Sequence, residues 1–294
     1  MQTTNGMRIL SYCKINLCLE VLGRRPDGYH DLATIFQTVS LGDELILKPN
    51  QSSCIRLLVD GNAPTGEDNI VHTAAKMLLR SKECGIDIIL RKGIPSGAGL
   101  GGGSSDAAST LEAVNKLCNL HLSHEHLLTI ASSLGADVPF FLYGGTAVGR
   151  DRGDKISPLP YRREYYFLLH VPPFRLERKT QRVFAALQPR EYTDGTFTVQ
   201  LSRKIAAGQQ ITNADLYNSL FPAAVRVWPQ LARRHDALQE ITHQAWVLSG
   251  AGPTLYTIVE SFQVGKKLLE DLRQLDGQSF LVRSTPVARE YQDL

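Results

Sequence analysis

The sequence has few of the features that mark metal-binding, membrane or nucleic-acid-binding proteins. Its five cysteines include no CxxC pair, which predicts neither a zinc site nor a disulfide framework, but small buried thiols of a reducing cytoplasm. No apolar run approaches the ~20 residues of a membrane span, and the first residues lack the basic and apolar segments of a signal peptide. A net charge of +3 with dispersed basic residues does not indicate a nucleic-acid surface. We therefore expect a cytoplasmic protein that handles small molecules, with no nucleic-acid or membrane partner.

The length and composition are those of two modest domains. The chain has 294 residues and a hydrophobic content of 43%, which is enough to bury two cores. Strand and helix patterns mix along the whole sequence, and their character changes after residue 157. We therefore predict one domain over residues 1–157 and a second over residues 158–294.

Three stretches allow definite local predictions. The segment KINLCLEVLG alternates polar and apolar residues from Lys14 onward, which predicts a half-buried strand. Helical spacing in SHEHLLTIASSLG predicts a helix with Ser123 as its N-cap. In ADVPFFLYGG, Pro139 favours extended backbone at Val138 because proline restricts the residue before it.

The densest motif is IPSGAGLGGGSSDAA, in which five glycines fall within seven residues directly before a helical pattern. Glycine in regular structure costs stability, so this many glycines indicate a backbone that must approach a ligand closely. The first turn of the following helix offers free N–H groups and a positive dipole end, which favours a phosphate. A P-loop is excluded because Ser104, not lysine, follows Gly103. A dinucleotide fold needs an acidic residue about twenty positions later, and residues 117–122 contain none.

The stretch PSGAGLGGGSSDAA resembles the phosphate-binding signature of the GHMP kinases. Its extra glycines and its aspartate are similar to the branch that phosphorylates a cytidine diphosphate-linked methylerythritol, a small molecule of the non-mevalonate isoprenoid precursor pathway. Supporting stretches occur in the expected order: CKINLCLEVLGRRPDGYHDL, GADVPFFL, RGDKISPL and LSGAGPTLY. One departure is SYCKINL, because the family usually has a proline–alanine pair before the lysine. The resemblance implies an α+β, two-domain GHMP kinase fold, with a ribosomal protein S5 domain 2-like N-terminal domain and a ferredoxin-like C-terminal domain.

The resemblance also implies a catalytic pair and a nucleotide site. Asp137 would be the general base, and Lys14 would lie beside it and orient the acceptor hydroxyl. ATP would bind together with Mg²⁺, and within the glycine-rich motif only Asp106 offers itself as a protein ligand of the ion. The residues predicted to bind ATP are those of the glycine-rich segment: Pro95, Ser96, Gly97, Ala98, Gly99, Leu100, Gly101, Gly102, Gly103, Ser104 and Ser105.

Substrate recognition is assigned by the same resemblance to four residues. Asn16 shares a strand face with Lys14 and would contact the substrate. In DGYH, Tyr29 would stack on the cytosine and His30 would form hydrogen bonds with it, since an aromatic face and a polar edge suit a pyrimidine. Phe174, after a Pro-Pro turn, is the predicted second stacking ring.

Other functions remain open on the sequence alone. The nearest alternative is another GHMP-type small-molecule kinase, acting on a sugar, homoserine or a mevalonate derivative, although those relatives usually have a shorter GLGSSA-type loop. A dinucleotide-dependent oxidoreductase and a non-catalytic ligand sensor are more distant alternatives. We expect a monomer or weak homodimer. Five basic residues are predicted to be solvated: Arg162, Arg163, Arg175, Arg178 and Lys179.

Overall fold

A computed structural model gives the structure of the chain, and the residues it describes are 6–79, 84–174 and 177–294. These residues form both strands and helices along the whole chain. The strands are β1 Met7–Arg24, β2 His30–Asn50, β3 Ile55–Asp60, β4 Gly85–Arg91, β5 Thr146–Asp151, β6 Lys155–Leu159, β7 Tyr166–Val171, β8 Tyr217–Asn218, β9 Val247–Leu248, β10 Leu255–Val259, β11 Gln278–Arg283 and β12 Arg289–Asp293. The helices are α1 Ile70–Leu79, α2 Gly102–Leu117, α3 His124–Leu134, α4 Val138–Tyr143, α5 Lys179–Ala185, α6 Thr196–Ala206, α7 Phe221–Val227, α8 Pro229–Thr242 and α9 Phe262–Asp271.

Two long antiparallel strands, β1 and β2, form the centre of the first sheet. Its main path has the order β12-β1-β2-β4-β3, while β5 pairs with β2 and β6, and β8 pairs with β1. Helices α1 to α4 supply the apolar side chains that pack on this sheet. Val71, Leu111 and Phe140 from these helices belong to one buried cluster with Ile9 and Leu45 of the strands. This packing fixes the position of α2, and therefore of the glycine run before it.

The middle of β1 is buried on both faces, so the prediction of a half-buried strand is wrong. On one face, Ile15 packs in a cluster with Phe167 and Tyr256 of the second sheet. On the other face, Lys14 and Asn16 are also buried. The alternation of residues predicts which side chains share a face, but it does not reveal that other elements cover both faces.

A second sheet follows, with the order β11-β7-β10-β9 and antiparallel pairing throughout. Its apolar cluster includes Leu168 and Leu255 from the strands with Leu220, Leu231 and Leu238 from the helices and the segment before them. Strand β6 runs across the predicted boundary at residue 157, and the last strand, β12, returns to pair with β1 of the first sheet. The division of the chain at that boundary stays a prediction. Of the helices described here, none is both long and apolar enough to cross a membrane.

Local signals gave both correct and wrong predictions. The N-cap of α3 is confirmed, because Ser123 Oγ accepts a hydrogen bond of 3.2 Å from the His126 N–H. The glycine run opens α2 as expected, with Gly101 at its N-cap. The extended backbone predicted before Pro139 is wrong, because Pro139 lies in the first turn of α4. Proline is tolerated there because the first N–H groups of a helix have no partner within the helix.

The cysteines differ from the prediction in one pair. Cys13 and Cys18 are buried free thiols as expected, but Cys54 is exposed. Cys84 and Cys118 form a disulfide, so the prediction of no disulfide is wrong. These two cysteines are 34 residues apart, and the fold brings the start of β4 next to the end of α2, with the Cα atoms 6.1 Å apart. Sequence spacing contains no signal for such a long-range contact.

Candidate active site

A cleft of about 1450 Å³ opens between the glycine loop, the turn that joins β1 to β2, and the start of α5. We use "glycine loop" for residues 95–103. The cleft is lined by every residue predicted to bind ATP except Ser105. It is also lined by the predicted catalytic residues Lys14 and Asp137 and by most of the predicted substrate-binding residues, namely Asn16, Tyr29 and His30.

The glycine loop has a backbone shape that favours glycine. Gly97, Gly99 and Gly101 have φ values of +71°, +86° and +73°, which other residues rarely adopt. A Cβ atom at Gly99 would also lie 2.6 Å from the carbonyl oxygen of Ser249, so the loop packs directly on the backbone of the turn between β9 and β10. The loop leads into the first turn of α2, whose N–H groups have no acceptor within the helix. A loop and helix start of this kind can bind an anion.

Ser105 does not point into the cleft, although it was predicted to bind ATP. Its hydroxyl donates a hydrogen bond of 2.6 Å to the carbonyl oxygen of Tyr12. It also lies 2.6 Å from the Ser11 hydroxyl, which is 2.9 Å from the hydroxyl of Ser109. These contacts hold the first turns of α2 against β1. The side chain of Ser105 therefore positions the helix, and no sequence signal distinguishes it from its neighbour in the motif.

Lys14 and Asp137 lie together in the cleft. The Lys14 ammonium is 3.3 Å from Asp137 Oδ2, and it donates a hydrogen bond of 2.9 Å to Asn16 Oδ1. Asn16 Nδ2 in turn donates to Thr34 Oγ1 at 2.8 Å, which fixes the amide. The side chain of Lys14 is only 4% exposed, whereas that of Asp137 is 37% exposed and makes no capping hydrogen bond to α4. A fixed cation can orient a hydroxyl group, and the accessible carboxylate beside it can accept the hydroxyl proton.

Tyr29, in the turn between β1 and β2, and His30, the first residue of β2, lie in another part of the cleft. Tyr29 is 58% exposed, and the Arg152 guanidinium lies 5.3 Å from its ring centroid. The N–H of Tyr29 donates to Asp27 Oδ1 at 3.1 Å, an interaction that stabilises the turn. Burial, and then the charge of Arg24, lower the pKa of His30 below its usual value. The imidazole is therefore neutral at pH 7, with one nitrogen that donates and one that accepts.

The ring that accompanies His30 is not Phe174. Phe174 packs against the apolar cluster of the second sheet and does not line the cleft. Phe184 of α5 does line it, and its ring centroid is 5.2 Å from that of His30. The ring of Tyr192 is 6.1 Å from the same imidazole. Both were missed because the approach of α5 and of the segment after it to His30 depends on contacts between distant parts of the chain.

A second lysine of the cleft, Lys92, is held by two carboxylates. Its ammonium contacts Asp43 and lies 2.7 Å from Asp106 Oδ2. Asp43 also accepts hydrogen bonds from the N–H groups of Gly93 and Ile94, at 2.7 and 2.8 Å. Burial, and then the charge of Asp43, raise the pKa of Asp106 well above its usual value, while Lys92 opposes that shift. This buried cluster joins the end of β4 to the start of α2, beside the glycine loop.

A third lysine, Lys179, also lies in the cleft, so its predicted solvation is wrong. It is the first residue of α5, and its ammonium donates a hydrogen bond to the carbonyl oxygen of Gly252. Burial, and then the charge of Lys14, lower the pKa of Lys179 to about 7, while Asp137 opposes that shift. Nothing in a run of basic residues indicates that one of them turns inward. The others in the prediction are exposed where they are described (Arg162, Arg163 and Arg178), and Arg175 lies outside the described residues.

Comparison with known proteins finds relatives along nearly the whole chain. The sequence profile described as "GHMP kinases N terminal domain" matches residues 69–145. The 4-diphosphocytidyl-2-C-methyl-D-erythritol kinase of Pelotomaculum thermopropionicum is 35% identical over 279 residues, which are 94% of this chain and 96% of that protein. A crystal structure of 4-(cytidine 5'-diphospho)-2C-methyl-D-erythritol kinase is 32% identical, with a TM-score of 0.80, over 94% of this chain and 98% of that chain.

The fold is shared more widely than the sequence. A homoserine kinase from Cytophaga hutchinsonii is only 17% identical, yet it has a TM-score of 0.74 over 99% of both chains. Such a likeness shows the fold alone, so the fold does not select an acceptor. Together with the closer relatives, it confirms the predicted α+β, two-domain GHMP kinase fold.

Proposed function

Because the chain belongs to the 4-diphosphocytidyl-2-C-methyl-D-erythritol kinase family, we propose that it transfers the γ-phosphoryl group of ATP to the 2-hydroxyl of 4-diphosphocytidyl-2-C-methyl-D-erythritol. This reaction belongs to the non-mevalonate isoprenoid precursor pathway. One observation carries the proposal: Lys14 and Asp137, 3.3 Å apart, line the same cleft as the glycine loop. A base, a cation and a phosphate-binding loop are the parts that phosphoryl transfer needs.

Asp137 is the proposed general base. The acceptor hydroxyl gives its proton to the carboxylate as its oxygen forms a bond to the γ-phosphorus. The bond from that phosphorus to the bridging oxygen breaks, and its electron pair leaves with ADP. Lys14 holds Asp137 and the reacting oxygen in line. Asn16 accepts one hydrogen bond from the Lys14 ammonium, which limits where that ammonium can point, and we propose that Asn16 also contacts the substrate.

The glycine loop and the first turn of α2 fit the phosphates of ATP. A Cβ atom at Gly97 would meet no atom within 4 Å, so the backbone there is open to a ligand. Mg²⁺ bound with ATP supplies charge neutralisation at the phosphate oxygens. Among the described residues, no three His, Cys, Asp or Glu side chains are grouped to hold a metal ion. We propose that the ion is held mainly by phosphate oxygens and water, as Mg²⁺ commonly is.

The part of the cleft around Tyr29 fits the cytosine. Tyr29 offers an exposed ring for stacking, and His30 offers a neutral imidazole whose donor and acceptor can meet the edge of a base. We assign the second stacking ring to Phe184 in place of Phe174, since Phe184 lies beside His30 and lines the cleft.

We also propose that the protein acts in the cytoplasm as a monomer or weak homodimer. The buried free thiols of Cys13 and Cys18 support a reducing compartment. The disulfide between Cys84 and Cys118 is of a kind uncommon in such a compartment. A thiol count on protein purified without oxygen would test whether Cys84 and Cys118 are joined in the cell, and light scattering after size exclusion would test the oligomeric state.

A coupled ADP-release assay with a panel of acceptors tests the proposed function. We expect turnover of 4-diphosphocytidyl-2-C-methyl-D-erythritol with ATP and Mg²⁺, and little turnover of galactose, homoserine or mevalonate. Phosphorus NMR of the product should then show a new phosphate ester on the tertiary carbon. Equal turnover of homoserine or a sugar would assign the protein to another acceptor class within the same fold.

A further inference from the structure

The lysines of the cleft differ in what holds them. Lys14 and Lys92 each contact carboxylates. Lys179 instead donates to one carbonyl oxygen, that of Gly252, and no ion pair within the described residues includes it. A partly buried ammonium with no carboxylate partner carries a desolvation cost in a folded protein. Such a group is suited to an anion that arrives with the ligand.

The position of Lys179 indicates which anion this is. Its carbonyl partner belongs to the turn SGAGP, which packs on the glycine loop: a Cβ atom at Gly99 would lie 2.8 Å from that same carbonyl oxygen. At the other end of the turn, a Cβ atom at Gly250 would lie 3.5 Å from Lys14 Nζ. Lys179 is therefore held by the turn that contacts both the glycine loop and Lys14. A phosphoryl group held by the glycine loop for transfer to an acceptor beside Lys14 would therefore lie close to this turn.

The charges that face Lys179 come from two other elements. Lys14 on β1 lowers the pKa of Lys179 and Asp137 before α4 raises it, but burial is the largest influence, and the result is a pKa of about 7. Lys179 also begins α5, and the positive end of that helix adds no negative charge. In the free protein near pH 7, the amino group of Lys179 is therefore only partly protonated. A bound phosphate would raise the pKa of Lys179 and keep it protonated.

We propose that protonated Lys179 binds the γ-phosphoryl group of ATP and stabilises it during transfer, a role that rests on the proposed kinase function. As the acceptor oxygen bonds to phosphorus and the bond to the bridging oxygen of ADP breaks, negative charge spreads over the other phosphoryl oxygens. The ammonium neutralises that charge from a fixed position. Asp137 takes the proton of the acceptor, and Lys179 keeps its own.

Steady-state kinetics give the first test. Lys179→Met should lower kcat about 10²–10³-fold, as the loss of a preorganised electrostatic group does. The control is Lys116→Met, which removes an exposed lysine outside the cleft and should leave kcat unchanged. In the wild type, kcat/KM should fall as the pH rises above about 7, because the free protein loses the Lys179 proton. Lys179→Arg should lack this fall, since arginine stays protonated.

Calorimetry gives a second test that does not depend on turnover. Binding of a non-hydrolysable triphosphate analogue to the wild type at pH 8 should take up about one proton, measured in buffers of different ionisation enthalpy. ADP should cause much less uptake, because it lacks the γ-phosphoryl group. Lys179→Met should abolish the proton uptake. If that variant does not fold, Lys179→Arg replaces it, because arginine is already protonated in the free protein and should also take up no proton.

The two proposals fail separately. If Lys179→Met keeps both the proton uptake and the wild-type kcat, Lys179 does not bind the γ-phosphoryl group. If the variants lose the uptake but the wild type does not phosphorylate the cytidine compound, the role of Lys179 stands and the proposed acceptor is wrong.

Discussion

The two functional regions of the cleft differ in how their side chains are held. In the region around Lys14, the ammonium is buried and fixed by Asn16 and Asp137. In the region around Tyr29, the ring is 58% exposed, with a guanidinium beside it rather than a packed wall. The first region is preorganised in the free protein, whereas the second can adjust to a ligand. Changes in the first should therefore lower kcat, and changes in the second should mainly alter KM and the choice of acceptor.

The largest expected effect comes from Asp137→Asn. The amide keeps the shape of the side chain but cannot accept the proton, so kcat should fall ~10²–10⁴-fold with little change in KM. The matched control is Asp236→Asn, an exposed aspartate of α8 outside the cleft, for which wild-type kinetics are expected. A wild-type kcat for Asp137→Asn, measured by ADP release, would show that Asp137 is not the base.

Lys14→Met should have the next largest effect, again on kcat. Because Lys14 and Asp137 act on one proton transfer, the double variant should lose far less than the product of the two single losses. The four kcat values form a double-mutant cycle. Strictly multiplicative losses would mean that the two residues act independently, in spite of their contact.

Gly101→Ala tests whether the transfer region depends on a backbone that favours glycine. Gly101 has a φ of +73°, and a Cβ atom there would lie 3.1 Å from Lys14 Cε and 3.0 Å from the ring of Phe141. A small displacement of Lys14 can cost about 10²-fold in kcat. Gly23→Ala is the control, because a Cβ atom there would meet no atom within 4 Å and no positive φ is involved. Equal kcat values for the two variants would show that the transfer region does not require glycine at position 101.

Phe184→Ala tests the assignment of the second stacking ring. Loss of one stacking contact to a base is worth ~1–3 kcal/mol, so KM for the cytidine substrate should rise about tenfold. Phe174→Ala is the matched control: it removes a ring that packs in the second cluster, and it should lower stability with little change in KM. If Phe174→Ala raised KM and Phe184→Ala did not, Phe174 would be the second stacking ring.

The smallest expected effect is one on stability. The folded protein holds Lys179 with a pKa of about 7, below the usual value of 10.5. Below pH 7 the group is protonated in both states and its full cost falls on the folded state, and this cost disappears as the pH rises from 7 to 10.5. Lys179→Met should therefore raise the free energy of unfolding at pH 6, by about 1 kcal/mol once solvent screening is allowed for. Denaturation at pH 6 and pH 10 should show the difference shrinking; a constant difference would contradict the lowered pKa.

The sequence contains the parts of this site that lie within short motifs. The glycine run indicates a phosphate loop because its composition has few other uses, and the positions of Lys14 and Asp137 follow from resemblance within short stretches. Phe184 and Lys179 could not be found in this way, since the face that α5 turns to the cleft is set by packing against the second sheet and by a carbonyl from the turn before β10. The helix at Pro139 was missed because two rules compete there: proline disfavours helix in the preceding residue, but it is well tolerated in a first helical turn.

The central claim is that the cleft phosphorylates an acceptor that carries cytidine, and its most direct test compares two acceptors on the wild-type protein. 2-C-methyl-D-erythritol 4-phosphate has the reacting carbon skeleton but no base. When the cytosine is missing, the groups of the protein that would form hydrogen bonds with it stay unpaired, which costs ~1–3 kcal/mol for each. The value of kcat/KM should therefore be about 10³-fold higher for 4-diphosphocytidyl-2-C-methyl-D-erythritol. Equal kcat/KM values for the two compounds would contradict the account.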